Sequence, residues 1–129
     1  TNWTTTVVGT TPAWLDVQRL ARLWNKEAET QLVERFEEAM RPVVDATPWI
    51  AELRGRGLMW AFEICAPDSL EPDKARTMAF HEACKANGLL VGKGGLYGNV
   101  IRLSPMLNVT EAELDEGIAA ITAAIADAS

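Results

Sequence analysis

The chain has 129 residues, 48% of them hydrophobic and 23% charged, which is typical of one globular domain and not of a disordered chain. Its formal net charge of −6 argues against binding to nucleic acids or to anionic membranes. No apolar run approaches the roughly 20 residues of a membrane span. The first residues also lack the basic and apolar pattern of a signal peptide. We therefore expect a cytoplasmic protein.

The first third of the chain is predicted to be an extended arm followed by helix. Residues 1–11 are rich in threonine and have no helical period. Thr11 and Pro12 then form a helix start, with a capping hydroxyl before a proline. The apolar spacing predicts helix over residues 12–47, with a break near Asn25 and an interruption of the last turn at Pro42.

From about residue 48 the pattern changes to short apolar runs that predict strands. The second run is charged only at Glu63, so it predicts a strand that is covered on both faces or lies centrally in a sheet. A glycine-rich loop is predicted over residues 92–99. The four predicted strands cover residues 50–53, 58–64, 89–91 and 100–103.

Two helices are predicted among these strands, which gives the order strand-strand-helix-strand-strand-helix over residues 48–129. Asp73 follows a proline at the start of the first helix, and Gly88 ends it. Thr110 and Glu113 form a capping box at the start of the second. Residues 1–129 are thus predicted to be one α+β domain with helices packed on a small sheet. The apolar side of the first helix is predicted to carry Ala75, Met78, Ala79, Ala83 and Cys84.

The histidine and the two cysteines are the residues most able to act as nucleophiles or to bind a transition metal. Cys65 and Cys84 are too few for a disulfide scaffold and are expected to be free, buried thiols. His81 lies three residues before Cys84, and neighbours on one helix rarely form a catalytic pair without a third, orienting group. No second histidine or cysteine lies at metal-ligand spacing, so the sequence predicts no metal site.

Two further features could bind an anion. The glycines of residues 92–95 invite comparison with a phosphate loop, but such a loop requires a helix directly after it, so a turn is the favoured interpretation. Arg102 lies inside an apolar strand, where its guanidinium either points to solvent or holds an anion such as a carboxylate. Arg54 and Arg56 flank glycines, which is typical of a structural turn.

Four segments, in this order and spacing, resemble the C-terminal small domain of a class III (ω-amino acid type) pyridoxal-phosphate-dependent aminotransferase, a fold type I enzyme. The resemblance is specific over residues 48–129 and less so over 12–47. It implies a small, largely antiparallel sheet with helices on it, beside a large domain that binds the cofactor. The segments are Leu53-Arg54-Gly55-Arg56-Gly57-Leu58-Met59, Asn87-Gly88-Leu89-Leu90, Gly98-Asn99-Val100-Ile101-Arg102-Leu103-Ser104-Pro105-Met106-Leu107 and Thr110-Glu111-Ala112-Glu113-Leu114.

The resemblance also implies roles for individual residues. By analogy with ornithine and γ-aminobutyrate aminotransferases, Arg102 holds the substrate carboxylate, which fixes one end of the substrate while its amine meets the cofactor. Thr6, in a stretch similar to the family's entry into this domain, is a candidate contact to the cofactor phosphate of the partner subunit. The turn over residues 94–99 would line the substrate entrance.

The lysine that forms the Schiff base belongs to the family's large domain, and none of the four lysines here occupies the family's catalytic context. The resemblance therefore implies amino transfer from an amino acid or ω-amine to a 2-oxo acid, with no catalytic residue in this chain and no activity of the chain alone. The implied partners are the large domain and a second subunit, through dimerisation or self-association. The alternative is a stand-alone, non-catalytic α+β module that binds a protein or a small carboxylate. The lysines are Lys26, Lys74, Lys85 and Lys93.

Overall fold

The computed structural model describes residues 26–129, which contain three helices and a four-stranded sheet. The predicted α+β class is confirmed. The extended arm, the first part of the predicted helical region and the break near Asn25 lie outside the described residues. The elements are α1 (Lys26–Asp45), β1 (Ile50–Arg56), β2 (Met59–Ile64), α2 (Lys74–Ala86), β3 (Gly92–Gly94), β4 (Val100–Leu103) and α3 (Glu111–Asp127).

The sheet has the strand order β1-β2-β4-β3, and every neighbouring pair is antiparallel. β1 and β2 form a hairpin through Gly57 and Leu58, and Gly57 has a φ of 57°. A positive φ at the first of two hairpin residues is the feature that requires glycine in a type II′ turn. The hairpin places β2 at the centre of the sheet, beside β4.

One face of the sheet is covered by the helices and contains the core. Side chains alternate along β2, so that Trp60, Phe62 and Ile64 are buried while Met59 is exposed. Phe36 of α1 stacks on Trp60 with ring centroids 3.9 Å apart. We call this the covered face of the sheet. The opposite side, the open face, carries the alternate residues of each strand, many of them charged and exposed.

The helices are fixed at their ends by polar contacts that the sequence pattern predicts in part. The capping box is confirmed, because Thr110 accepts a hydrogen bond from the Glu113 amide and the Glu113 carboxylate accepts one from the Thr110 amide. Asp73 caps α2 by accepting a hydrogen bond from the Arg76 amide. Between helices, Arg35 donates two hydrogen bonds of 2.6 Å to the Asp115 carboxylate, a pairing that local sequence does not indicate.

Two predicted helix features are wrong. α1 continues three residues beyond Pro42, since packing against the sheet holds the last turn together. α2 buries Thr77, Phe80 and Cys84, with Ala83 partly buried, whereas three of the small and apolar residues predicted for its buried side are exposed. The large Phe80 ring determines which side of α2 faces the sheet, because it buries more apolar surface than several alanines. The exposed residues are Ala75, Met78 and Ala79.

The third predicted strand is also displaced. It forms at Gly92–Gly94, inside the predicted glycine-rich loop, and not at residues 89–91. The Leu89 amide instead donates to the Cys84 carbonyl and closes the turn after α2. Glycines are poor strand formers on their own. Here pairing with β4 provides the ladder of backbone hydrogen bonds.

Candidate carboxylate-binding site

Arg102 lies on the open face, at the centre of a row that crosses all four strands. In β4 its neighbours Val100, Ile101 and Leu103 are buried, whereas Arg102 is exposed. Residues that are paired directly across antiparallel strands lie on the same face. Arg102 is paired with Ala61 of β2 on one side and Gly92 of β3 on the other. The guanidinium therefore lies outside the core. This position agrees with both interpretations of the sequence, a side chain that points to solvent and one that holds an anion.

The glycines of β3 make room for the Arg102 side chain. A β-carbon added at Gly92 would lie 3.6 Å from Arg102 Nε, and one added at Gly94 would lie 3.5 Å from the same atom. The Arg102 side chain therefore lies over β3, where even an added β-carbon would be in van der Waals contact with it. Any residue larger than alanine at these positions would occupy its space. The sequence pattern predicts a turn at these glycines and does not indicate that Arg102 lies over them.

The acidic residues of the open face are held by a different arginine. Arg54 of β1 donates a hydrogen bond of 2.7 Å to Glu52 Oε2 and a second one to Glu63 Oε2. Both hydrogen bonds raise the pKa of the Arg54 guanidinium, and the bond to Glu63 contributes more than the bond to Glu52. Among residues 26–129, Arg102 forms no ion pair. Within that range its charge is uncompensated, and a carboxylate matches the planar fork of a guanidinium.

Arg102 borders an open depression of about 540 Å³ beside the hairpin. Met59 and Ala61 contribute apolar atoms to its lining, and three arginines line it as well. A depression of this kind can accept the carbon chain of a small molecule while an arginine binds its carboxylate. The residues that line it are Arg54, Gly55, Arg56, Met59, Trp60, Ala61, Arg102 and Ser104.

The other residues singled out from the sequence do not form a reactive site. Both cysteines are free and buried, as predicted. Burial raises the pKa of Cys84 to about 11, so its thiol is protonated at neutral pH and is a poor nucleophile. His81 Nδ1 lies 3.5 Å from Glu82 Oε1, and no bond joins the imidazole to Cys84. Within residues 26–129, no cluster of three potential metal ligands occurs.

The glycines of residues 92–95 do not form a phosphate loop. β3 includes Gly92 and Gly94, a turn follows with Gly95 at a φ of 86°, and β4 comes next. No helix amino terminus follows, so the backbone amides needed for a phosphate are not gathered there. Asn99, at the end of this turn, is buried and donates a hydrogen bond of 3.1 Å to the Ile64 carbonyl, which anchors the turn to β2.

The described residues do not by themselves fit pyridoxal phosphate. Lys74, Lys85 and Lys93, the lysines whose side chains are described, are all exposed. A lysine that is to form a Schiff base requires a desolvated site that favours its neutral amine. The proposed phosphate contact, Thr6, lies outside the described residues. Of the helices in residues 26–129, none is long and apolar enough to cross a membrane.

The chain belongs to the class III aminotransferase family, whose model matches residues 13–125. The chain is 34% identical over 103 residues to a 4-aminobutyrate aminotransferase of Mycobacterium bovis, an alignment that covers 74% of this chain and 23% of that protein. It therefore spans about a quarter of the length of the curated relatives it matches. The family resemblance found in the sequence is confirmed.

Solved structures of the same family share the fold. An acetylornithine aminotransferase from Elizabethkingia anophelis is 30% identical with a TM-score of 0.67, over 83% of this chain and 26% of that one. An amine transaminase from an uncultivated Pseudomonas species, solved in a form with bound pyridoxal phosphate, is 27% identical with a TM-score of 0.70, over 84% of this chain and 24% of that one.

Proposed function

We propose that this chain is the C-terminal domain of a pyridoxal-phosphate-dependent aminotransferase that moves an amino group from an amino acid or ω-amine to a 2-oxo acid. In this proposal Arg102 binds the substrate carboxylate. The observation that carries it is an exposed guanidinium that lies over two glycines and has no acidic partner among residues 26–129. Relatives named for 4-aminobutyrate and diaminobutyrate act on amino acids, which agrees with a carboxylate ligand.

The cofactor, in this proposal, is held by a large domain outside this chain, which is why the chain alone would be inactive. The exposed lysines support that division. Leu96, in the turn before β4, is 91% exposed, and Leu107 is 65% exposed. Apolar side chains at such exposure favour a covering surface, which we assign to the large domain and to a second subunit. The free thiols support a reducing compartment such as the cytoplasm.

The carboxylate role is tested by kinetics of Arg102→Ala in the full-length enzyme that carries this chain. A charge-assisted hydrogen bond contributes about 1.5–3 kcal/mol, so we expect kcat/KM for a carboxylate-bearing donor to fall roughly 10- to 100-fold, mostly through KM. A donor amine without a carboxylate should be unaffected. Arg41→Ala, which removes an exposed arginine of α1, is the matched control. Unchanged constants for every carboxylate donor would overturn the assignment.

The inactivity of the chain alone is tested by adding pyridoxal phosphate to the 129-residue protein. The mixture is reduced with borohydride, and the labelled lysines are mapped by mass spectrometry. We expect weak, scattered labelling, since exposed lysines share no specific site. Stoichiometric labelling of a single lysine would instead show that this chain has a cofactor site of its own.

A further inference from the structure

Glu63 lies between two arginines on the open face. Arg54 of β1 and Arg102 of β4 are both paired with Ala61, which precedes Glu63 by two residues in β2. Both arginines are therefore diagonal cross-strand neighbours of Glu63. A diagonal neighbour on an antiparallel sheet is within reach of a long side chain. The structure nevertheless shows Glu63 bound to Arg54 and not to Arg102.

The contacts of Arg54 explain why Glu63 binds Arg54 and not Arg102. Arg54 is bound by a second carboxylate, that of Glu52, which lies in the same row of the sheet as Glu63. Glu52 and Glu63 would repel each other, and the Arg54 guanidinium between them cancels that repulsion. On the other side, the glycines of β3 give the Arg102 side chain room to lie away from Glu63.

We propose that Arg54 is a positioning residue, which holds Glu63 away from Arg102 and so keeps the Arg102 guanidinium available to the carboxylate of a substrate. The inference rests on the carboxylate-binding role proposed above for Arg102. Without Arg54, Arg102 is the remaining diagonal basic neighbour of Glu63. An internal carboxylate held by the sheet would then compete with the external one at the same guanidinium. Arg54 would affect binding without touching the substrate.

The experiment measures how available Arg102 is in the 129-residue chain. Phenylglyoxal modifies free guanidinium groups, and peptide mapping by mass spectrometry gives a separate rate for each arginine. Arg56 is exposed on the same face and forms no ion pair within residues 26–129, so its rate serves as the internal reference. In the unmodified sequence we expect Arg102 to react at a rate similar to that of Arg56, and Arg54 to react more slowly.

In Arg54→Met we expect the rate at Arg102 to fall roughly two- to fivefold, the scale of an exposed ion pair, while the rate at Arg56 stays unchanged. Adding Glu63→Gln should restore the rate, because the competing charge is gone. Arg41→Met removes an arginine that is paired on α1 instead and should leave the rate at Arg102 unchanged. This pattern cannot result from a general loosening of the hairpin, which would not be reversed by Glu63→Gln.

An unchanged rate at Arg102 in Arg54→Met would overturn the proposal, and so would a slower rate that Glu63→Gln does not restore. Circular dichroism at the assay temperature shows whether each variant is folded, and Arg54→Gln replaces Arg54→Met if the latter is not. The result of this labelling experiment can be distinguished from the result of the kinetic test of the proposed function. Labelling reports whether Arg102 is free, whereas the kinetics of Arg102→Ala report whether the enzyme uses it.

Discussion

The two faces of the sheet are formed by the same strands but carry different side chains, buried and apolar on one face and largely charged and exposed on the other. On the covered face, Trp60 and Phe62 pack against helices and are almost completely buried. On the open face, Arg54, Glu63 and Arg102 each alternate with covered-face residues of their own strand and remain in contact with solvent. Because side chains in a strand alternate between faces, each strand contributes to both. The packing of the core residues therefore also fixes the register of the charged residues on the open face.

The packing that stabilises this fold and the charged residues proposed to bind a ligand lie on different faces of the sheet. Apolar burial on the covered face stabilises the domain, since it removes large aromatic surfaces from water. Ion pairs on the open face are exposed, and such pairs contribute little to the free energy of unfolding. These ion pairs matter instead because they determine which charged side chains of the open face remain unpaired. Substitutions on the two faces should therefore have distinct signatures in stability and in binding.

The largest effect on stability is expected from Phe80→Ala. Phe80 is fully buried, and its ring meets Phe62 edge to face at 6.0 Å. Truncating a buried phenylalanine leaves a cavity and costs about 3–5 kcal/mol. Arg102→Ala is the counterpart on the open face and should change the free energy of unfolding by no more than about 0.5 kcal/mol. Urea denaturation of both variants measures the difference, and equal losses would contradict the division between the faces.

A smaller effect is expected from Gly55→Ala. Gly55 is paired with Trp60 on the covered face, and an added β-carbon would lie 2.5 Å from Trp60 Cδ1 and from the Met59 carbonyl oxygen. Relieving that clash should cost about 1–3 kcal/mol. Gly117 in α3 has open space around it, so Gly117→Ala should stabilise by up to about 1 kcal/mol. Thermal melts compare the two, and a neutral Gly55→Ala would show that the hairpin can move away from the core.

The smallest effect is expected from the exposed ion pair of the helices. The hydrogen bonds from Arg35 lower the pKa of Asp115 below its ordinary value. The unfolded chain then binds this proton more readily than the folded one, so stability rises with pH in that range. The contribution is complete above the ordinary pKa of about 4 and is lost as the pH falls through the lowered value.

Urea midpoints measured from pH 6 down to pH 3 test this dependence. Asp115→Asn should give a flatter profile at the acid end than the unmodified sequence, with little difference between them in slope above pH 5. An identical profile would mean that the Arg35 pair makes no contribution in solution. Glu113, whose pKa is lowered mainly by its hydrogen bond from the Thr110 amide, keeps the capping box in both proteins and adds the same acid dependence to each.

Local chemistry in the sequence predicted those features that depend on near neighbours. The capping box at Thr110, the helix start at Asp73 and the strand around Arg102 each follow from residues within a few positions of one another. The family resemblance over residues 48–129 likewise rests on short motifs and is confirmed by the matched family model. The carboxylate-binding role of Arg102 and the phosphate contact of Thr6 stay predictions.

Tertiary structure alone decided what depends on pairing between distant segments. β3 lies at Gly92–Gly94, where it pairs with β4 and where the Arg102 side chain lies close to the two glycines. Packing of Phe80 against Trp49 and Phe62 determines which side of α2 is buried. The sequence marked Glu63 only as a charge in an apolar run, and its partner could be any nearby base. Sheet register placed both Arg54 and Arg102 diagonal to Glu63, since register is set by the packing of whole strands and not by the residues beside each charge. The second carboxylate of Glu52 and the space above the β3 glycines then distinguish the two arginines.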